Sequence, residues 1–70
     1  MKLEKLKEYR IKKRYTHQII SEYLNMASST YSRKEKGIKD FKIEEFENIS
    51  KVLGLSDDEG LELLGLDYLK

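Results

Sequence analysis

The stretch Thr16-His17-Gln18-Ile19-Ile20-Ser21-Glu22-Tyr23-Leu24-Asn25-Met26-Ala27-Ser28-Ser29-Thr30-Tyr31-Ser32-Arg33-Lys34-Glu35-Lys36-Gly37 decides how this chain of 70 residues is read. Thr16 is a good N-cap, and a short helix is expected from it through Leu24. Ile20 and Leu24 lie one turn apart and face inward, while small Ser21 lets a neighbouring helix come close. Asn25 tolerates left-handed backbone, which suits a tight turn at Asn25-Met26-Ala27. A further helix is expected from Ser28 to Lys36, stopped by Gly37 at its C′ position. Ala27 is a poor cap for it, which costs about 1 kcal/mol unless Ser28 caps instead. Tyr31 belongs to the core. The outward positions Ser28, Ser29, Thr30, Ser32, Arg33 and Lys36 are all hydrogen-bond formers or cations, and none is acidic. Such groups read base edges and grip phosphates.

Helical spacing continues on both sides. Upstream, Leu3, Leu6 and Tyr9 or Arg10 share one face of a helix from about Leu3 to Lys13. Downstream of a loop from Gly37 to Lys42, the residues Ile43, Phe46, Ile49 and Leu53 repeat at three- and four-residue steps and stop at Gly54. The start of that helix is weakly marked, with Asp40 as its only good cap residue. Ser56-Asp57-Asp58-Glu59 then has capping-box spacing, and its acids suit a helix N-terminus. The helix it opens carries Leu61, Leu63 and Leu64, is weakened by Gly60 and ends at Gly65. Proline is absent, and no alternating β-branched run marks a strand. The expected fold is all-α, a compact five-helix bundle over residues 1–65 followed by a short tail, residues 66–70.

Composition narrows the function classes. There is no cysteine, so neither disulfides nor thiolate metal sites can form, and the single histidine excludes a multi-histidine metal site. No membrane span or signal-peptide apolar stretch is visible, which implies a cytoplasmic protein without a membrane partner. Residues 1–42 hold 12 Lys/Arg against 5 Asp/Glu, and residues 43–70 hold 2 against 8, so a basic half meets an acidic one. That asymmetry suits a polyanionic partner, and it also suits a salt-bridged surface. The run Lys12-Lys13-Arg14 reads as a solubilising helix end rather than a phosphate grip. No nucleophile is paired with a base and no Gly-rich phosphate loop occurs, so no enzyme, cofactor or small-molecule ligand is expected.

The chain resembles the Cro and lambdoid-repressor helix-turn-helix family, also called the Xre family, over roughly residues 3–64. The family's Thr-Gln-x-x-Leu-Ala and turn glycine are similar to Thr16-His17-x-x-Ile20-Ser21 and Asn25. Its recognition helix is similar to Ser29-Thr30-Tyr31-Ser32-Arg33-Lys34-Glu35-Lys36-Gly37. Ile43, Phe46, Ile49, Leu53-Gly54-Leu55-Ser56 match its fourth helix and entry to the fifth. The resemblance implies a lambda-repressor-like bundle that lays residues 28–36 in the major groove of double-stranded DNA. Ser28, Ser29 and Arg33 would then face bases. Thr16, His17, Thr30, Ser32, Lys36, Lys39 and Lys42 would meet phosphates. Arg10 and Glu35 would form a buried ion pair. It further implies a bacterial or phage regulator, repressor-like, bound as a homodimer to a near-palindromic operator. With no residues left for a separate oligomerisation domain, dimer contacts would come from the fifth helix, the tail or the loop between helices three and four.

One feature falls outside the resemblance. Tyr15, Ile19 and Tyr23 stand at successive i, i+4 steps, where the family is usually polar at the last two. Tyr15 is read as core. The Ile19/Tyr23 stripe would receive either the tail Leu66–Leu69 or a partner protein. The latter suits a protein-interaction module, antitoxin-like or an anti-repressor partner, built on the same fold.

Overall fold

Thr16 caps α2 as its chemistry requires: its hydroxyl accepts the Ile19 N–H at 3.1 Å. The computed structural model describes residues 1–65. Among them are the helices α1 (Leu3–Lys12), α2 (His17–Tyr23), α3 (Ser28–Glu35), α4 (Ile43–Leu53) and α5 (Asp57–Leu64), and no strand. The tail Leu66–Leu69, and with it the expected docking of that tail on Ile19 and Tyr23, lies outside the described residues.

The chain reversals lie where small or amide side chains permit them. Asn25 takes a left-handed φ of 60° between α2 and α3, and the Met26 N–H returns to the Ser21 carbonyl at 3.0 Å. Gly37, Gly54 and Gly65 also have positive φ. At Gly37, φ 83°, a Cβ would also crowd Leu3 Cδ1 at 3.2 Å, so a side chain there would be strained in its backbone and would press Leu3 aside. Arg14 is the unexpected case, with a left-handed φ of 62° directly after α1. A non-glycine residue in that region costs roughly 1–2 kcal/mol. Arg14 N–H bonds the Ile11 carbonyl at 2.8 Å and Tyr15 N–H the Arg10 carbonyl at 3.1 Å, which closes the last turn of α1.

Two expectations about helix starts are corrected. Asp40 does not cap α4. The helix begins later, at N-cap Lys42, whose backbone N–H donates to the Glu45 carboxylate at 2.8 Å. Nor does Ser28 cap α3: Ala27 holds the cap position without a side-chain bond, and Ser28 is already helical. Ser56 and Glu59 do form the reciprocal capping box of α5, at 3.2 and 2.9 Å.

The core is formed by Leu6, Ile20, Leu24, Tyr31, Ile49, Leu53 and Leu63, with Leu3, Tyr9, Tyr15, Met26, Phe41 and Phe46 packed around it. α3 packs on α2 and α1, and α1 packs on α5. The Lys2 N–H also bonds the Leu63 carbonyl at 2.7 Å, tying the start of α1 to the end of α5. Ile43, expected on the inward face of α4, is 67% exposed. It is the first residue of that helix, and Phe41 and Phe46 on either side of it take the place against the core. Ser21 is buried and donates to the Gln18 carbonyl at 2.7 Å, so its hydroxyl costs little where α2 and α3 pack.

Replacing Ala27 by Ser gives α3 the acceptor it lacks and is expected to stabilise the protein by about 0.5–2 kcal/mol. Urea unfolding followed by circular dichroism measures this, and Ser28→Ala, which removes no cap, is expected to change stability by less than about 0.5 kcal/mol.

Candidate nucleic-acid interface

α2 and α3 with the four residues between them present one continuous outer face. Ser28, Ser29, Arg33 and Lys36 are exposed on α3, and Thr30 and Ser32 are half-buried at its edges. Lys39 and Lys42 are exposed in and beside the following loop. Among the described residues, Arg33, Lys36 and Lys39 enter no ion pair, and the outer face of α3 carries no acid. At 1.5 Å per residue, α3 is about 12 Å long, which matches a major groove about 12 Å wide.

The inner face of α3 is charged as well, and there every charge is paired. The Arg10 Nε donates to Glu35 Oε2 at 2.9 Å and its Nη2 donates to Glu35 Oε1 at 3.1 Å. Both residues are buried. Arg10 Nη1 donates to the Tyr15 carbonyl at 2.7 Å, so one guanidinium ties α1, the entry to α2 and α3 together. Lys34, also buried, donates to Glu45 Oε2 on α4 at 2.6 Å and sits 5.9 Å from the Phe41 ring. Nothing in the periodicity marked Lys34 as buried; its partner stands 11 residues downstream across a loop.

His17, expected at a phosphate, has a second neighbour inside the protein. Its Nε2 lies 3.6 Å from Glu35 Oε1, and its ring meets the Tyr31 ring edge-on at 5.6 Å between centroids. Tyr31 in turn meets Phe41 edge-on. Burial penalises the Glu35 charge, yet hydrogen bonds from Arg10 and the nearness of Tyr31 outweigh it and hold the carboxyl below its ordinary value. Burial and the adjacent Glu35 push the Tyr31 hydroxyl well above the usual phenol range. That hydroxyl makes no hydrogen bond of regular geometry. Glu45 behaves like Glu35: burial opposes its charge, and Lys34 and the Lys42 N–H more than compensate.

Lys5 lies 3.2 Å from Glu62 on α5. Lys12 and Lys13 line a crevice with Glu59 and Gly54, away from α3. The Ile19/Tyr23 stripe stays uncovered among the described residues, with Tyr23 61% exposed and its ring 5.5 Å from that of Tyr15. Tyr15 is half-buried against the core. Ile38, which sequence reading passed over, is 72% exposed in the loop after α3. Among the described residues no helix is long and apolar enough to cross a membrane.

A family model described as helix-turn-helix matches residues 6–60, from within α1 into the first turn of α5. No curated protein and no solved structure matches the chain.

Arg10→Ala leaves the Glu35 carboxylate buried and unpaired, and a loss of about 3–5 kcal/mol is expected in urea unfolding. The lowered carboxyls set the sign of the acid response. Unfolded, Glu35 and Glu45 take up protons near their ordinary 4.5; folded, they do so only at lower pH. Their contribution is therefore complete above about pH 5 and is lost as pH falls through the folded values. Thermal melts are expected to be level from about pH 7 to about pH 5 and to drop below that, with a shallower drop for Glu35→Gln.

Proposed function

The chain belongs to the Xre-type, lambda-repressor-like helix-turn-helix family of DNA-binding regulators, and we propose that it is a sequence-specific repressor that binds a near-palindromic operator as a homodimer. The observation that carries this reading is the unpaired, acid-free outer face of α3 beside an inner face whose charges are all neutralised. Ser28, Ser29 and Arg33 read base edges, with Arg33 bonding a guanine through both donors of its fork. Thr16, His17, Thr30, Ser32, Lys36, Lys39 and Lys42 hold phosphates. Thr16 already accepts a bond as a cap, and its hydroxyl proton remains to be donated. Half-sites of such a dimer stand about 34–36 Å apart. The apolar groove between α4 and α5, lined by Phe46, Leu55, Leu61 and Leu64, supports a dimer contact there.

A second reading, a protein-interaction module, is favoured by the exposed Ile19 and Tyr23 on α2. It shares the fold and differs in leaving the α3 face unused.

Selection of bound duplexes from a random pool separates the two. A paired, inverted half-site sequence is the expected product, and recovery of no enriched sequence favours the second reading. Arg33→Ala is expected to relax preference at one base pair per half-site, a loss of about 1–3 kcal/mol in discrimination. Lys39→Ala should weaken all duplexes alike and reduce the salt slope by about one. Unchanged base preference in Arg33→Ala would remove that contact.

A further inference from the structure

We propose that duplex binding by this protein takes up a proton, and that the imidazole of His17 receives it, bridging Glu35 and a DNA phosphate. The inference rests on the DNA-binding reading, and it concerns a property that reading does not contain.

A neutral imidazole has one N–H to donate, whereas an imidazolium has two. His17 has two anions to serve. One is internal: Glu35 Oε1 lies 3.6 Å from Nε2, and the T-shaped contact with Tyr31 holds the ring in that orientation. The other is the phosphate that would meet the first residue of α2 on the outer face. The ring makes no hydrogen bond among the described residues, and with 34% of the side chain exposed it is open to that phosphate. Only the protonated ring donates to both anions at once.

The charges around the ring explain why the proton would arrive with DNA. From α3, Glu35 faces His17, and Lys36 shares its crevice; from α1 come Glu4 and Lys7. Arg10 reaches Glu35 from α1 and cancels much of its pull through three hydrogen bonds. Lys7 and Lys36 oppose a further positive charge, and Glu4 favours one. A phosphate adds an uncancelled negative charge next to the ring, which favours its charged form.

Linkage gives the readout. If one proton is taken up, affinity rises as pH falls, by at most about tenfold per pH unit. The test uses the full chain and His17→Gln, which keeps a neutral donor at this position. Binding to a mixed-sequence duplex of about 20 base pairs is measured by fluorescence anisotropy at fixed low salt between about pH 6 and about pH 8. Every other titratable group is common to both proteins, so the difference between the two slopes isolates His17. Circular dichroism melts at each pH confirm that both remain folded. The expected result is a threefold to tenfold gain for the wild-type protein across about two pH units and a nearly flat line for His17→Gln. The His17 ring protons in an NMR titration should also move to a higher midpoint when the duplex is added. Parallel slopes in the two proteins, or an unmoved ring midpoint in the complex, overturn the proton linkage and leave DNA binding standing. If neither protein binds duplex at any pH, the DNA reading itself falls, and the linkage with it.

Discussion

The buried Arg10–Glu35 pair is the constraint on which the arrangement of the other parts depends. Its guanidinium spends two donors on Glu35 in α3 and one on the Tyr15 carbonyl, just before α2. The angle at which α2 leaves α1, and the position of α3 against both, are therefore set by one planar group with fixed donor directions. Apolar packing alone would hold these helices together without specifying their mutual rotation so tightly. A domain this small has few other means of doing so, because it buries only about 60% of its unfolded surface.

The same pair partitions the charge of α3. Along α3, cationic and acidic residues alternate between a face that is satisfied inside and a face that is left to solvent. Glu35 and Lys34 turn inward to partners on α1 and α4. Arg33 and Lys36 turn outward with no acid beside them. Elsewhere Lys5 of the basic first half meets Glu62 of the acidic second half, and Lys12 and Lys13 lie near Glu59. A net charge of +1 thus conceals a local group of unpaired cations, Arg33, Lys36 and Lys39, on α3 and the loop that follows it. For a polyanion the local excess is what counts, since screening confines each charge to about 10 Å at 0.1 M salt.

Cap chemistry explains which boundaries were legible. Thr16, Ser56 with Glu59, Asn25, Gly37, Gly54 and Gly65 each carry their own local reason to start or stop a helix, and each does so in the structure. The start of α4 was misread because its cap is a Lys42 N–H bonded to a Glu45 carboxylate that also answers Lys34. Half of that arrangement is tertiary. The left-handed Arg14 was equally invisible, since arginine has no local preference for such backbone.

The amino-acid sequence alone determined the helical class, the turn between α2 and α3, the inward placing of Leu6, Ile20, Leu24, Tyr31, Ile49 and Leu53, and the absence of acids from the outward positions of residues 28–36. These follow from period and cap, which act over three or four residues. Only the tertiary structure decided that Lys34 is buried on Glu45, that His17 faces Glu35 and Tyr31, and that Ile43 is left outside the core. Each of these outcomes is a contact between groups far apart in the chain or a matter of which neighbour arrives first at a shared site. Local spacing carries no record of either, because a side chain's burial depends on what the rest of the fold brings against it.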